Sequence, residues 1–243
     1  MGQIFDHELV KELSNDAYQY LSHVEFNITD IQLSESVELD EFEYYIHNTG
    51  FYLNYFLKLC RQLEMGVEFL TNYKYNNKSN FHRIDHLIYN IENYIIRYQS
   101  SLDRLLQLIN CVFHLTIDEK NVSYSQVMSN IKVTRTTVPK VFTPIKSQID
   151  KVSKSRNTII HRHSYLEKDL RKLELLYPQE LLIADKNINR IRAIRLKKYI
   201  EKKKAEFSDE NQNLFNNTTS LFDILLVEYR KQKGKLFILT GRI

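Results

Sequence analysis

The sequence predicts an all-α helical bundle, and three observations carry that expectation. Only five Gly and three Pro punctuate 243 residues, far fewer than a β or α/β fold of this length spends on turns and crossovers. From Ile88 to Val112, apolar residues recur at alternating steps of three and four, the stripe of a helix packed along one face. Finally, 43% hydrophobic residues are enough to build the core of a single helical domain spanning 1–243.

The elements can be justified in order. MGQIFDHELVKELSND at the N-terminus is acidic and amphipathic. A long helix over Leu39–Tyr73 would place Tyr45, Phe51, Leu53, Phe56, Leu57, Cys60, Leu63, Val67 and Leu70 in the core, with Gly50 and Gly66 weakening it locally. NNKSN at 76–80 reads as a polar turn. A second long, antiparallel helix starts near Arg83 and buries Ile84, Leu87 or Ile88, Ile91, Ile95, Tyr98, Leu102, Leu105, Ile109 and Val112, with Asn90, Ser101 and Asn110 between them on the polar side. Ser123 to Gln126 fits a capping box before a short helix to about Lys132.

Thr143-Pro144 reads as a helix start with proline in the first turn. Ile145, Ile149, Val152, Ile159 and Ile160 continue a helical period, but Ser153 and Ser155 suggest a break, with Ser155 capping a new helix at Arg156. That helix would run through Leu166, Leu170, Leu173 and Leu176 to Tyr177-Pro178. Two more helices are expected near 186–207 and 209–232. The terminal GKLFILTG lacks the spacing of a phosphate-binding loop and reads as a short strand or an irregular tail.

Composition narrows the function classes. No 18-residue apolar run and no basic leader occur, so the expected location is the cytoplasm with no membrane association. Asp6 stands where a myristoylation signal needs Ser or Thr, which argues against a lipid anchor. Cys60 and Cys111 lie in apolar helical patterns and read as small buried hydrophobes, not as a disulfide or a zinc pair. Charge is uneven: residues 1–43 hold eleven acids against Lys11 alone, and 151–204 hold sixteen Lys and Arg against six acids. The basic half therefore faces a polyanion or an acidic surface, the chain's own N-terminal stretch being one candidate.

One stretch concentrates chemistry: Ser155-Arg156-Asn157-Thr158-Ile159-Ile160-His161-Arg162-His163-Ser164-Tyr165. Asn157 and His161 are four apart and share a helix face, with Arg156 beside them at the expected first turn. An imidazole exchanges protons near neutral pH, a guanidinium fork suits a phosphate that gains charge in a transition state, and the expected helix start would add amide donors. His161 and His163 point about 200° apart on a helix by its 3.6-residue period, so they make a poor joint metal site. Neither a metal nor a cofactor is expected.

Arg156-Asn157-xxx-His161 resembles the Arg-x4-6-His signature of the HEPN superfamily, in which two long antiparallel helices precede a motif helix. The resemblance covers about residues 40–177, with a basic helical extension over about 186–233. It implies a HEPN-like bundle and, as in the members that are ribonucleases, a homodimer whose paired motif helices form a composite cleft for metal-independent RNA cleavage. The 2′-hydroxyl would attack the adjacent phosphorus, leaving 2′,3′-cyclic phosphate and 5′-hydroxyl ends. Arg156, Asn157 and His161 would carry the reaction, with His163 an alternative to His161 because it also falls within the Arg-x4-6-His window.

His163-Ser164-Tyr165 also resembles the His-x-Tyr ending of one toxin branch, which makes Tyr165 a candidate for nucleotidylation by an antitoxin partner. A setting in toxin–antitoxin or antiviral defence follows from the same resemblance. RNA-backbone contacts would come from Arg162, Arg192, Arg195, Lys197 and Lys198. The competing account is a catalytically silent helical module for dimerisation or for nucleotide, RNA or protein binding, in which these polar residues only satisfy backbone or neighbouring acids.

Overall fold

The structure, a computed structural model, describes residues 2–22, 39–73, 83–161, 167–176 and 186–242. Among the described residues there is no strand. The α-helices are α1 (Gly2–Phe5), α2 (Glu8–Leu21), α3 (Glu41–Glu68), α4 (Arg83–Val112), α5 (Tyr124–Ser129), α6 (Ile131–Thr134), α7 (Val138–His161), α8 (Lys168–Leu176) and α9 (Lys186–Leu239). The all-α bundle with long internal helices is therefore as the sequence predicts. The NNKSN turn at 76–80 lies outside the described residues.

Several boundaries differ from expectation, each for a physical reason. α7 begins at Val138, so Pro144 lies inside it and Pro139 takes the second position, where a missing N–H costs no helical bond. The interior Pro144 is flanked by Phe142, Ile145 and Ile149, all fully buried, and that packing offsets its lost hydrogen bond. No break occurs at Ser155. Serine costs a helix only about 0.5 kcal/mol relative to alanine, and with no Gly or Pro nearby α7 runs on to His161.

Leu170, Leu173 and Leu176 belong to the separate α8, and Leu166, Tyr177 and Pro178 lie outside the described residues. The two expected C-terminal helices are one, because Phe207, Asn211 and Leu214 carry the buried stripe past Ser208-Asp209 without interruption. GKLFILTG is helical through Leu239. It closes with Gly241 in the left-handed region, φ 72°, while Gly241 N–H donates to the Ile238 carbonyl and Arg242 N–H to that of Phe237. This is a Schellman cap, which explains the glycine.

The chain divides into two compact units. The first comprises 1–58, 101–147 and 215–243. There the start of α3 meets the end of α4, with Tyr45 Oη donating to the Val112 carbonyl at 2.9 Å and Arg104 to that of Tyr55 at 2.7 Å, an antiparallel pairing. Phe222 of α9 packs edge-on against His7 and Phe56, and Tyr229 stacks on Tyr45. His7 caps α2, its Nδ1 accepting from the Leu9 N–H at 3.1 Å.

Acids of the N-terminal half find cations on the last turns of α9 in this unit. Tyr229 Oη donates to buried Asp16 at 2.6 Å, Lys233 reaches Asp16 at 2.7 Å and Glu12 at 3.0 Å, and Arg230 reaches Glu12 at 2.6 Å. Arg242 pairs with Asp40 and Glu43. Burial opposes ionisation of Glu12, but Lys233 and Arg230 outweigh it and hold the carboxyl below its usual range. At Asp40 burial is likewise outweighed, by the Glu43 N–H and Arg242.

A carboxyl depressed on folding contributes stability above its unfolded pKa near 4 and loses it as pH falls through the folded value. Urea midpoints should therefore fall from pH 5 to pH 3. Glu12→Gln should flatten that dependence; an unchanged slope in this variant would refute the assignment.

The second unit comprises 59–100 and 148–214. Here the rest of α3 again runs antiparallel to α4, with Arg97 donating to Gln62 and Gly66 packed against Tyr94, where an added Cβ would stand 3.1 Å from the Tyr94 ring. Tyr94 was not foreseen as core because it falls off the three-four stripe, yet it is 1% exposed. Its ring stacks on Phe207 at 3.7 Å between centroids, and its hydroxyl lies within 3.2 Å of the Phe207 carbonyl, a Glu210 carboxylate oxygen and Asn211 Oδ1. Gln148 of α7 donates to the Glu210 carbonyl at 2.9 Å. One buried side chain thus helps tie α3, α4 and α9, and Gln148 ties α7 to the same turn of α9.

Candidate functional site

The second unit holds both the motif helix and the basic run. α7 carries Arg156, Asn157 and His161 on its last two turns, so the four-residue spacing of Asn157 and His161 keeps them on one helix face. Asn157 is exposed. The side chains of Arg156 and His161 are outside the description, as are residues Arg162, His163 and Tyr165 altogether.

The continuous helix corrects one expectation. Backbone N–H groups from Arg156 to His161 lie inside a running helix, where amides are spent on carbonyls four residues back, so they offer no free donors to a phosphate.

The basic run of α9 sorts into two groups by burial. Arg192 and Lys203 are 8% and 4% exposed. Lys203 ion-pairs with Glu167 at 3.0 Å and Glu206 at 2.9 Å, and Tyr199 Oη donates to the same Glu167 at 2.9 Å. These contacts seat the start of α8 on α9, alongside buried Leu170 and Leu173 of α8 and Leu196 and Ile200 of α9. Arg192 is thus a buried cation of α9, unlike its exposed neighbours.

Arg195, Lys197 and Lys198 are exposed. Lys197 pairs along the helix with Glu201 at 3.8 Å. Arg195, Lys198, Tyr199 and Lys202, spaced by three, four and seven, form one wall of a cleft of about 390 Å³, and Asp169, Lys172 and Leu173 of α8 form the other. Asp169 is the one acid among its described lining residues, 3.6 Å from Lys172 and 3.9 Å from Lys202. Four cations against one carboxylate give the cleft a net positive field, suited to a phosphate chain. Lys202 belongs to the basic run over 190–204 that the sequence offers as an RNA-backbone contact, whereas Lys172 was not a candidate. The seven-residue step from Arg195 to Lys202 was a readable signal; Lys172 had none, because its partnership depends on how α8 folds back.

Behind this surface lies the Tyr94 cluster. Burial pushes the Glu210 carboxyl up, against the lowering effect of the Tyr94 hydroxyl, and burial lifts the Tyr98 phenol well above its usual range, with Glu210 adding to it. Both groups are structural: they are enclosed by α4 and α9 and give the unit a rigid polar centre. Among the described residues no helix is long and apolar enough to cross a membrane.

An all-α chain of long antiparallel helices, with an Arg-Asn-xxx-His string on a later helix and a basic cleft in the same unit, defines a helical-bundle protein of the kind the motif resembles. The chain belongs to the HEPN superfamily: the family model described as HEPN_Cthe2314-like HEPN matches residues 7–223. That match reaches beyond the 40–177 stretch on both sides, taking in α2 and most of α9. No curated protein and no solved structure matches the chain.

Proposed function

We propose that the protein is a metal-independent endoribonuclease acting as a homodimer, with Arg156 and His161 as its reacting pair. The observation that carries this reading is the Arg156-Asn157-xxx-His161 string on α7 of a chain belonging to the HEPN superfamily. His161 takes the proton of a ribose 2′-hydroxyl as its oxygen bonds to phosphorus. The bond from phosphorus to the 5′-oxygen breaks, and that oxygen takes a proton from the imidazolium or from water. Arg156 stabilises the charge building on the non-bridging oxygens, and Asn157 orients the imidazole or the substrate. His163 is the alternative base, and Tyr165 remains a candidate for nucleotidylation in a toxin–antitoxin or defence setting.

The α8–α9 cleft supplies the substrate's anchor in this reading, its cations contacting RNA phosphates away from the reacting bond. Each phosphate contact on a single strand adds about 0.7 to the slope of log affinity against log salt. Arg195→Ala/Lys198→Ala/Lys202→Ala should weaken RNA binding and reduce that slope by about 2, measured by fluorescence anisotropy across a salt series. An unchanged slope would remove the cleft from the RNA path. Arg192→Ala should instead lower thermal stability, because that side chain is interior.

The defining assay is incubation with assorted RNAs in EDTA, wild type against Arg156→Ala and His161→Ala. Cleavage indifferent to both substitutions refutes the assignment. Binding without cleavage would favour the silent helical module.

A further inference from the structure

The first unit contains a cleft of about 720 Å³ that the proposed ribonuclease chemistry does not use. One wall is a single face of α3: Tyr44, Asn48, Phe51, Tyr52 and Tyr55 recur at the spacing of neighbouring turns. The Phe51 and Tyr52 rings meet at 89° with centroids 5.1 Å apart, forming an aromatic corner, and Tyr44 and Tyr55 are 47% and 45% exposed. The opposite wall is the end of α4 with the segment that follows it, ending in Asp118 and Glu119.

That segment is held in an unusual shape. His114, φ 47°, takes the left-handed position of a Schellman cap on α4, with His114 N–H donating to the Cys111 carbonyl and Leu115 N–H to that of Asn110. Thr116 is also left-handed, φ 58°, a costly state for a branched residue, about 1–3 kcal/mol. Clamps on both sides enforce it: Asn110 exchanges two hydrogen bonds with the backbone of Ile117, and Lys132 donates to the His114 carbonyl at 2.8 Å. A fold that strains backbone in order to shape a cleft wall points to use of that cleft.

The lining specifies the sign of its ligand. No Lys or Arg is among the lining residues, whereas Asp118 and Glu119 are. Burial lowers the pKa of both His47 and His114, which keeps these imidazoles neutral at pH 7. Gln107 donates its amide to the Glu119 carbonyl and leaves its buried Oε1 without a hydrogen-bond partner. The same aromatic wall already carries one cation: the Arg104 guanidinium sits 3.8 Å over the Tyr55 ring. Aromatic faces joined to carboxylates, with no Lys or Arg among the described lining residues, are the chemistry that recognises ammonium groups.

We infer that this cleft binds an organic alkylammonium cation, its alkyl chain against Phe51 and Tyr52 and its ammonium toward Glu119 and Asp118. Phosphorylated ligands are excluded by the two carboxylates. The site is independent of the proposed ribonuclease reaction, and its failure would leave that reading untouched.

The test is binding to the full-length protein by ligand-observed NMR and calorimetry at pH 7.5, using butylammonium chloride with 1-butanol as its uncharged isostere. Butylammonium should bind at least about fivefold more tightly than butanol, the factor expected for one solvent-exposed cation–π contact. Glu119→Gln and Tyr52→Ala should each remove most of that preference while circular dichroism stays unchanged. Equal affinity for the two probes, no saturable butylammonium binding, or folded variants that keep the preference would each overturn the inference. Since the comparison of the two probes uses the unaltered protein, it decides the question even if a variant fails to fold.

Discussion

His161→Ala should lower RNA cleavage in EDTA by about 10²–10⁴, the usual contribution of a positioned acid–base group. Arg156→Ala should lower it by about 10²–10³, the range for loss of one electrostatic donor at a transition state. The double variant should fall no further than the worse single one, because groups that act on one transition state do not contribute additively. His163→Ala separates the two imidazoles: if it matches His161→Ala in effect, the base is His163 or the two act together. His161→Ala and Arg156→Ala should both keep wild-type thermal stability if the loss is one of chemistry. Activity loss accompanied by unfolding would not support a catalytic role.

Tyr94→Ala should destabilise the protein by about 3–5 kcal/mol, the cost of emptying an aromatic core site. The loss has two sources. The ring leaves its stack on Phe207 and its contact with Gly66, and the one hydroxyl proton that the three surrounding acceptors compete for is removed from inside the unit. Tyr94→Phe isolates the second source at about 1–3 kcal/mol, the penalty of buried acceptors left unmet. Urea unfolding at pH 7 measures both. A Tyr94→Ala cost below about 1 kcal/mol would show that the cluster is not the centre of its unit.

What the sequence disclosed depended on whether a signal was local. The stripe from Ile88 to Val112 and the Ser123–Gln126 capping box are local: the helix and the cap form, Ser123 accepting from the Gln126 N–H, and the stripe is buried apart from half-buried Ile88 and Leu102. α3 buries Tyr45, Phe56, Cys60, Leu63 and Leu70 as foreseen. The polar side expected for α4 is different: Asn90, Ser101 and Asn110 are buried. Neighbours surround that helix on more than one side, and Asn110 serves as a clamp, a role no periodicity encodes.

Ser155 misled because a capping residue is a preference of a few tenths to about 2 kcal/mol, outweighed here by the packing of the helix already running. The basic run was legible as charge, but only burial separates inward Arg192 and Lys203 from the exposed wall of Arg195, Lys198 and Lys202. The aromatic cleft was invisible for the same reason. Its tyrosines share a helix face in the sequence, yet the opposing acids come from a segment whose left-handed turns at His114 and Thr116 no residue type announces.

The ribonuclease reading is tested most directly by the ends it leaves. Dimeric wild-type protein in EDTA should cut RNA into fragments bearing 2′,3′-cyclic phosphate and 5′-hydroxyl termini. A single 2′-deoxy substitution at the cut nucleotide should abolish cleavage there. Cleavage that persists at the deoxy position, or that proceeds equally in Arg156→Ala/His161→Ala, would contradict it.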